Sequence, residues 1–114
     1  MQSQQKKRDL FPGALEMMVL QSLRRQPMHG YALVQHIQQR SNDLLQVEEG
    51  SLYPALQRLL KDGSVKAEWQ LSSTNRRVRT YRITPAGIKQ LEREVSRFEQ
   101  MLAGIQLVLT PAES

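Results

Sequence analysis

Residues 49–63 read Glu49-Gly-Ser-Leu-Tyr-Pro-Ala-Leu-Gln-Arg-Leu-Leu-Lys-Asp-Gly63, and the position of one proline in this stretch constrains the fold. Proline lacks a backbone N–H and clashes with the preceding turn, so a helix tolerates it in its first turn, where that N–H has no intrahelical partner. Pro54 therefore predicts a helix starting near Gly50 or Ser51, with Ser51 as N-cap and Gly63 as C-terminal stop. Within it Leu52, Leu56, Leu59 and Leu60 share one face at helical spacing. Ser51, Pro54, Gln57, Arg58 and Lys61 share the opposite face, and Tyr53 lies on the flank. A face with hydroxyl, amide and guanidinium groups and no carboxylate suits base edges and phosphates. The same pattern, taken alone, also describes an ordinary amphipathic surface helix.

Downstream of Gly63 the period changes from helical to two. Val65, Ala67, Trp69 and Leu71 alternate with Lys66, Glu68 and Gln70, the pattern of a half-buried strand. Ser72-Ser-Thr-Asn75 is a polar turn, and residues 76–83 form the returning strand with Arg77, Arg79, Tyr81 and Ile83 on one face. This hairpin is expected to root Tyr81, Ile83 and Trp69 in the core while its tip carries Arg76, Arg77 and Arg79 outward.

Upstream, Leu15, Met18, Val19, Leu20 and Leu23 predict a helix from Pro12 or Gly13 to about Gln26, closed by Pro27. A second helix is expected from near His29 to about Ser41, burying Leu33, Val34 and Ile37. Leu44, Leu45 and Val47 would then cover the core on the way to residue 49. Tyr31, in the first turn of the second helix, suits either a phosphate contact or half-buried packing. At the other end Thr84-Pro85 opens a last helix as N-cap and first position. Ile88, Leu91, Val95, Phe98, Leu102, Ile105 and Leu109 follow at alternating spacings of three and four, a heptad seam. Gly104 is expected to loosen its final turns, and Thr110-Pro111 to end it. A seam this long exceeds the needs of one small domain, which predicts a homodimer with Val95, Phe98, Leu102 and Ile105 at the interface.

The expected organisation is a basic arm (residues 1–9), a DNA-binding domain (10–84), a dimerisation helix (85–110) and a short tail (111–114). The 114 residues leave no room for a second domain. The net charge of +5 is concentrated: residues 72–84 carry Arg76, Arg77, Arg79 and Arg82 and no carboxylate. Such a local stripe points to a polyanion. Cysteine is absent, and His29 and His36, seven residues apart, lack the close pairing and third ligand of a metal site, so no cofactor or metal is expected. No paired His and carboxylate and no Gly-rich phosphate loop is present, which argues against an enzyme. Without a signal peptide or a membrane-length apolar run, a cytoplasmic protein with no membrane association is expected.

Three helices, the third with a polar outer face, followed by a hairpin with a cationic tip, give a mainly α fold with a small β-hairpin. This is the element order of a winged helix-turn-helix domain, here with an added C-terminal dimerisation helix. The segments His29-Gly-Tyr-Ala-Leu33, Gly50-Ser-Leu-Tyr-Pro-Ala-Leu56, Ala67-Glu-Trp69, Asn75-Arg-Arg77 and Tyr81-Arg-Ile-Thr84 resemble the PadR family of bacterial transcriptional regulators. The resemblance covers residues 11 to about 109, and the single C-terminal helix resembles the family's smaller subgroup. It implies a homodimer on a palindromic operator of double-stranded DNA, usually a repressor and sometimes released by a small-molecule effector, here unknown. Matched by position, it assigns groove and backbone contacts to Ser51, Tyr53, Pro54, Gln57 and Lys61. Minor-groove or phosphate contacts fall to the wing arginines beside Asn75. Many relatives have a glycine after the wing tryptophan and a glutamate before the wing asparagine. This chain has Gln70, and Ser73 or Thr74, at those positions, so its wing tip is expected to differ in shape. With one tryptophan, in the wing, and Phe98 as the last helix's only aromatic, no planar-drug site built by tryptophan stacking between subunits is expected. The competing reading is a winged-helix module that binds protein, against which the cationic wing argues. RNA binding is disfavoured by an aromatic content of 5%.

Overall fold

The computed structural model describes residues 13–112, so the expected basic arm and the last two residues of the tail lie outside it. The elements run α1 (Ala14–Arg25), β1 (Met28–His29), α2 (Gly30–Arg40), α3 (Glu49–Lys61), β2 (Val65–Leu71), β3 (Arg77–Ile83) and α4 (Pro85–Leu109). The core is a single cluster in which Leu52, Ala55, Leu56 and Leu59 of α3 have no exposed surface. They join Val19, Leu20 and Leu23 of α1, Leu33 and Ile37 of α2, Val65 and Tyr81 of the sheet, and Leu91 of α4. Each such burial is worth roughly 1.5–3 kcal/mol before chain entropy is counted. Val34 is only half-buried at the margin of this cluster.

Helix α3 starts earlier than the proline implied. Glu48 occupies the N-cap position without a side-chain cap, and its carbonyl accepts from the N–H groups of Ser51 and Leu52, each at 2.9 Å. Ser51 is thus inside the first turn and Pro54 in the second, where its ring removes the bond to the Gly50 carbonyl. Gly50 is exposed, so water can donate to that carbonyl in place of the missing N–H, and the usual penalty for an interior proline is reduced. The C-terminal stop is as expected. Gly63 takes a left-handed φ of 76°, and the Gly63 and Ser64 N–H groups bond the carbonyls of Leu60 and Leu59. That pair of reversed bonds is a Schellman ending. Helix α2 ends the same way, with Asn42 at φ 55°.

Three further expectations are corrected. The wing is a three-stranded sheet of order β1-β3-β2, because Met28 and His29 pair with Tyr81 and Thr80. Leu44 does not cover the core; it is 85% exposed, in a turn where Asn42 and Asp43 both have positive φ and carry the chain away from the helices. Trp69 is not rooted in the core either, being 56% exposed, because the hairpin leaves the helices after Ala67 and Tyr81.

A compact joint ties α3, the sheet and α4 together. The Thr84 hydroxyl donates to the Gly63 carbonyl at 2.6 Å and accepts from the Gly87 N–H at 3.1 Å, capping α4 as the sequence predicts. The Thr84 N–H bonds the Ser64 carbonyl, and the Ser64 and Gln90 side chains are hydrogen-bonded. Gly87 is buried there, and a Cβ on it would run into the Ser64 carbonyl oxygen and lie 2.7 Å from Cγ1 of Ile83. Helix α4 then continues unbroken through Gly104 for 25 residues, roughly 37 Å at 1.5 Å per residue. Its first half packs on α1, whereas every residue from Glu99 onward that is described is exposed.

Replacing Gly87 with alanine should overpack this joint and destabilise the fold by roughly 1–3 kcal/mol. Gly50→Ala, in open space on a helix, should stabilise it by up to roughly 1 kcal/mol. Urea unfolding at matched protein concentration checks both, as opposite shifts of the midpoint with unchanged slope.

Candidate nucleic-acid interface

Anchored by its leucines, α3 turns Ser51, Tyr53, Pro54, Gln57, Arg58 and Lys61 to solvent, as the sequence predicts. These side chains are not equally free. Arg58 donates from Nε to Oε2 of Glu16 on α1 at 2.7 Å, and Glu16 is largely buried. Arg58 therefore struts α3 against α1, and its charge has a counter-ion within the protein. Glu16 escaped the sequence reading because it lies 42 residues away and its helix gave no sign of which residue it would face. Gln57 and Lys61 have no intramolecular partner among the described residues, which leaves an amide and an ammonium as the uncommitted groups of this face.

Tyr53 closes the gap between α3 and the start of α2. Its ring lies over Gly30, where a Cβ would come within 2.5 Å of the phenolic oxygen, so this glycine makes room for the tyrosine. Burial against α2, reinforced by the Glu49 carboxylate and by Tyr81, raises the Tyr53 pKa above its ordinary 10.0. The phenol's exposed hydroxyl is able to donate to a phosphate oxygen. Tyr31, in the next position of α2, is exposed beside it. The structure therefore gathers Tyr31 and Tyr53 with the α3 face.

The wing forms a second, separate group, and no hydrogen bond or ion pair joins it to the α3 face among the described residues. Ser72 organises its tip: its Oγ accepts from the N–H groups of Thr74 and Arg76, and its own N–H bonds the Arg76 carbonyl at 2.8 Å. Asn75 has a φ of 66°, a conformation that asparagine tolerates better than most side chains, so its presence has a backbone reason independent of any ligand. Arg76 and Arg77 are exposed and Arg79 half-buried. The guanidinium carbons of Arg77 and Arg79 lie 4.8 Å and 5.7 Å from the centre of the Trp69 ring. Arg82, on the other face, is 3.6 Å from the Glu68 carboxylate and is partly neutralised. Trp69 is the residue here whose place sequence reading misjudged; the signal available was the hairpin register, which sets it opposite Arg79.

On α4 the expected interface residues divide. Val95 packs against the domain's own core, and Phe98 lines a groove of about 150 Å³ with Gly13, Ala14, Met17, Glu94, Arg97 and Met101. Leu102 and Ile105 are 40% and 38% exposed, and Leu107, Val108 and Leu109 far more so. Among the described residues no cluster of His, Asp or Glu could hold a metal ion, and no helix is long and apolar enough to cross a membrane.

Three helices with the third presented outward, followed by a short sheet with a cationic hairpin, define a winged helix-turn-helix protein. The chain belongs to the PadR-like family of transcriptional regulators, whose family model matches residues 19–93. Among solved structures, a transcriptional regulator from Clostridium thermocellum is 28% identical with a TM-score of 0.80, the match covering 87% of this chain and 93% of that one. A PadR family regulator from Eggerthella lenta is 29% identical with a TM-score of 0.76, over 89% of this chain and 86% of that one. PadR of Bacillus subtilis, solved in complex with operator DNA, shares the fold at 20% identity and a TM-score of 0.65, over 71% of this chain and 46% of that one. An uncharacterised protein of Lysinibacillus sphaericus is 29% identical over 105 residues, 92% of this chain and 96% of its own length.

The raised pKa of Tyr53 has a readable consequence. Its neutral form is favoured by folding, so its contribution to stability is complete below pH 10 and is lost as pH rises past that value toward the folded-state pKa. Ultraviolet titration of the phenols should show a component with a midpoint above 10.0 that disappears in Tyr53→Phe.

Proposed function

We propose that this transcriptional regulator binds double-stranded DNA sequence-specifically as a homodimer on a palindromic operator, and that it represses by occupying that site. The observation that carries the reading is the α3 face, where Gln57 and Lys61 stand uncommitted on a helix held rigidly by buried leucines. Gln57 matches the paired donor and acceptor of an adenine edge in the major groove, and Lys61 a phosphate or guanine. Ser51, Tyr53, Pro54 and Tyr31 border that face and serve backbone contact. Arg76, Arg77 and Arg79 add charge over the adjacent backbone, with Asn75 shaping the tip.

A homodimer is supported by the apolar residues that α4 leaves in water. Leu102, Ile105 and Leu109 continue the seam beyond the point where the protomer's own core ends. Two-fold symmetry then requires half-sites about one helical turn, or a multiple of it, apart. Sedimentation should show a dimer at micromolar concentration, and Leu102→Asp should shift it to monomer. An intact Leu102→Asp dimer would place the interface elsewhere.

Selection of bound fragments from random DNA, followed by titration over a range of salt, tests the function directly. Log affinity should fall with log salt at roughly 0.9 per phosphate neutralised. Arg77→Ala with Arg79→Ala should weaken binding to every sequence and flatten that slope. Gln57→Ala should change the preferred sequence with little change of slope. Wild-type protein showing no preference for any duplex over competitor DNA at moderate salt would instead favour a protein-binding role.

A further inference from the structure

We propose that Trp69 is a positioning residue of the wing, whose indole holds the guanidinium groups of Arg77 and Arg79 as a fixed pair so that the wing selects duplexes by backbone geometry. The proposal rests on the DNA-binding reading above and deepens it. Trp69 is the largest side chain of the hairpin and is 56% exposed, so its place in strand β2 is not accounted for by the core. The register puts Arg79 directly across from it and Arg77 on a diagonal, both within reach of a strand side chain on that face. Both guanidinium carbons are within the distance at which a ring face attracts a cation, 4.8 Å and 5.7 Å.

The stack continues inward. Arg79 is also 6.0 Å from the ring of Tyr81, which is buried in the core, so the order Arg77, Trp69, Arg79, Tyr81 links the exposed wing to the rigid interior. Arg79 Nε is buried and has no hydrogen-bond acceptor among the described residues, where the rings of Trp69 and Tyr81 lie beside its guanidinium. Neither arginine has an ion-pair partner among the described residues. The nearest wing carboxylate, Glu68, is on the opposite face with Arg82. The indole therefore orders two cations without neutralising them. Arginines on a bare hairpin would lose rotamer freedom on binding; here much of that ordering is present beforehand. Two cations at fixed spacing also favour one groove width. The narrow minor groove of an A-tract, with its enhanced negative potential, is the geometry that such a pair fits.

The test uses the intact protein and a duplex recovered by selection from random DNA. Two versions keep its half-sites and carry either A-tract or G·C-rich sequence where the wings lie. Wild type should prefer the A-tract version. Trp69→Ala should bind it about tenfold more weakly, lose the flank preference and keep the wild-type salt slope, because the arginines remain. Trp69→Phe should retain the preference and stay within about threefold of wild type. Trp69→Ala with wild-type affinity and preference would overturn the proposal, as would a slope flattened like that of the arginine variants. The stack itself is judged without DNA, so its failure is separable from failure of the DNA reading. Trp69 is the only tryptophan, and its emission should change in free Arg77→Ala, Arg79→Ala protein; unchanged emission would also overturn the proposal.

Discussion

Burial of the leucine ridge of α3 is the constraint from which the outer surface follows. Leu52, Leu56 and Leu59 have no exposed surface, and a helix advances 100° per residue, so fixing three of its positions fixes the direction of all the others. Ser51, Gln57 and Lys61 face solvent because they cannot face anywhere else. The ridge also determines how far polar residues can vary without cost to the fold. Changing Gln57 alters the surface that a ligand meets, whereas changing Leu56 removes the support beneath it. Separation of these two roles on one short helix is what allows a family to keep its scaffold while its members differ in what they recognise.

Much of this architecture was legible because it depends on periodicity and on local backbone chemistry. The change of period at Gly63, the left-handed glycine itself and the Thr84-Pro85 cap are all short-range signals, and each lies where it was read. The errors have a common physical origin in depth and distance. Alternation along β2 says which residues share a face, yet it cannot say that the core ends at Ala67 and leaves Trp69 outside. Strand β1 has two residues and is held through backbone bonds to β3, so no side-chain pattern announces it. Pro54 misplaced the start of α3 because the usual rule assumes that a freed carbonyl has no solvent, and Gly50 is exposed. Leu44 is apolar but belongs to a turn whose backbone takes precedence over its side chain.

Charge was legible in amount more than in availability. Counting basic residues singles out Arg58 and the four wing arginines equally. The structure distinguishes them: Arg58 is held by Glu16 and Arg82 by Glu68, while Arg77 and Arg79 rest on an aromatic ring that leaves their charge intact. A cation that is ordered but not neutralised is better prepared for an anionic partner than one that is either paired or freely rotating. Sequence alone cannot separate these states, because the partner of each arginine is decided by strand register or by helix packing.

The Thr84 joint has a consequence for how motion can pass through the molecule. One hydroxyl bonds the carbonyl that follows α3 and the N–H that begins α4, with a glycine packed too tightly beneath it to allow slack. Helix α3 and the long terminal helix are thereby welded like two arms of a bent lever. In an assembly built along α4, a small change in how two such helices cross would swing both α3 helices together and reset the distance between them. A change at the far end of α4 would then be felt at the outer face of α3, a long way from where it was made.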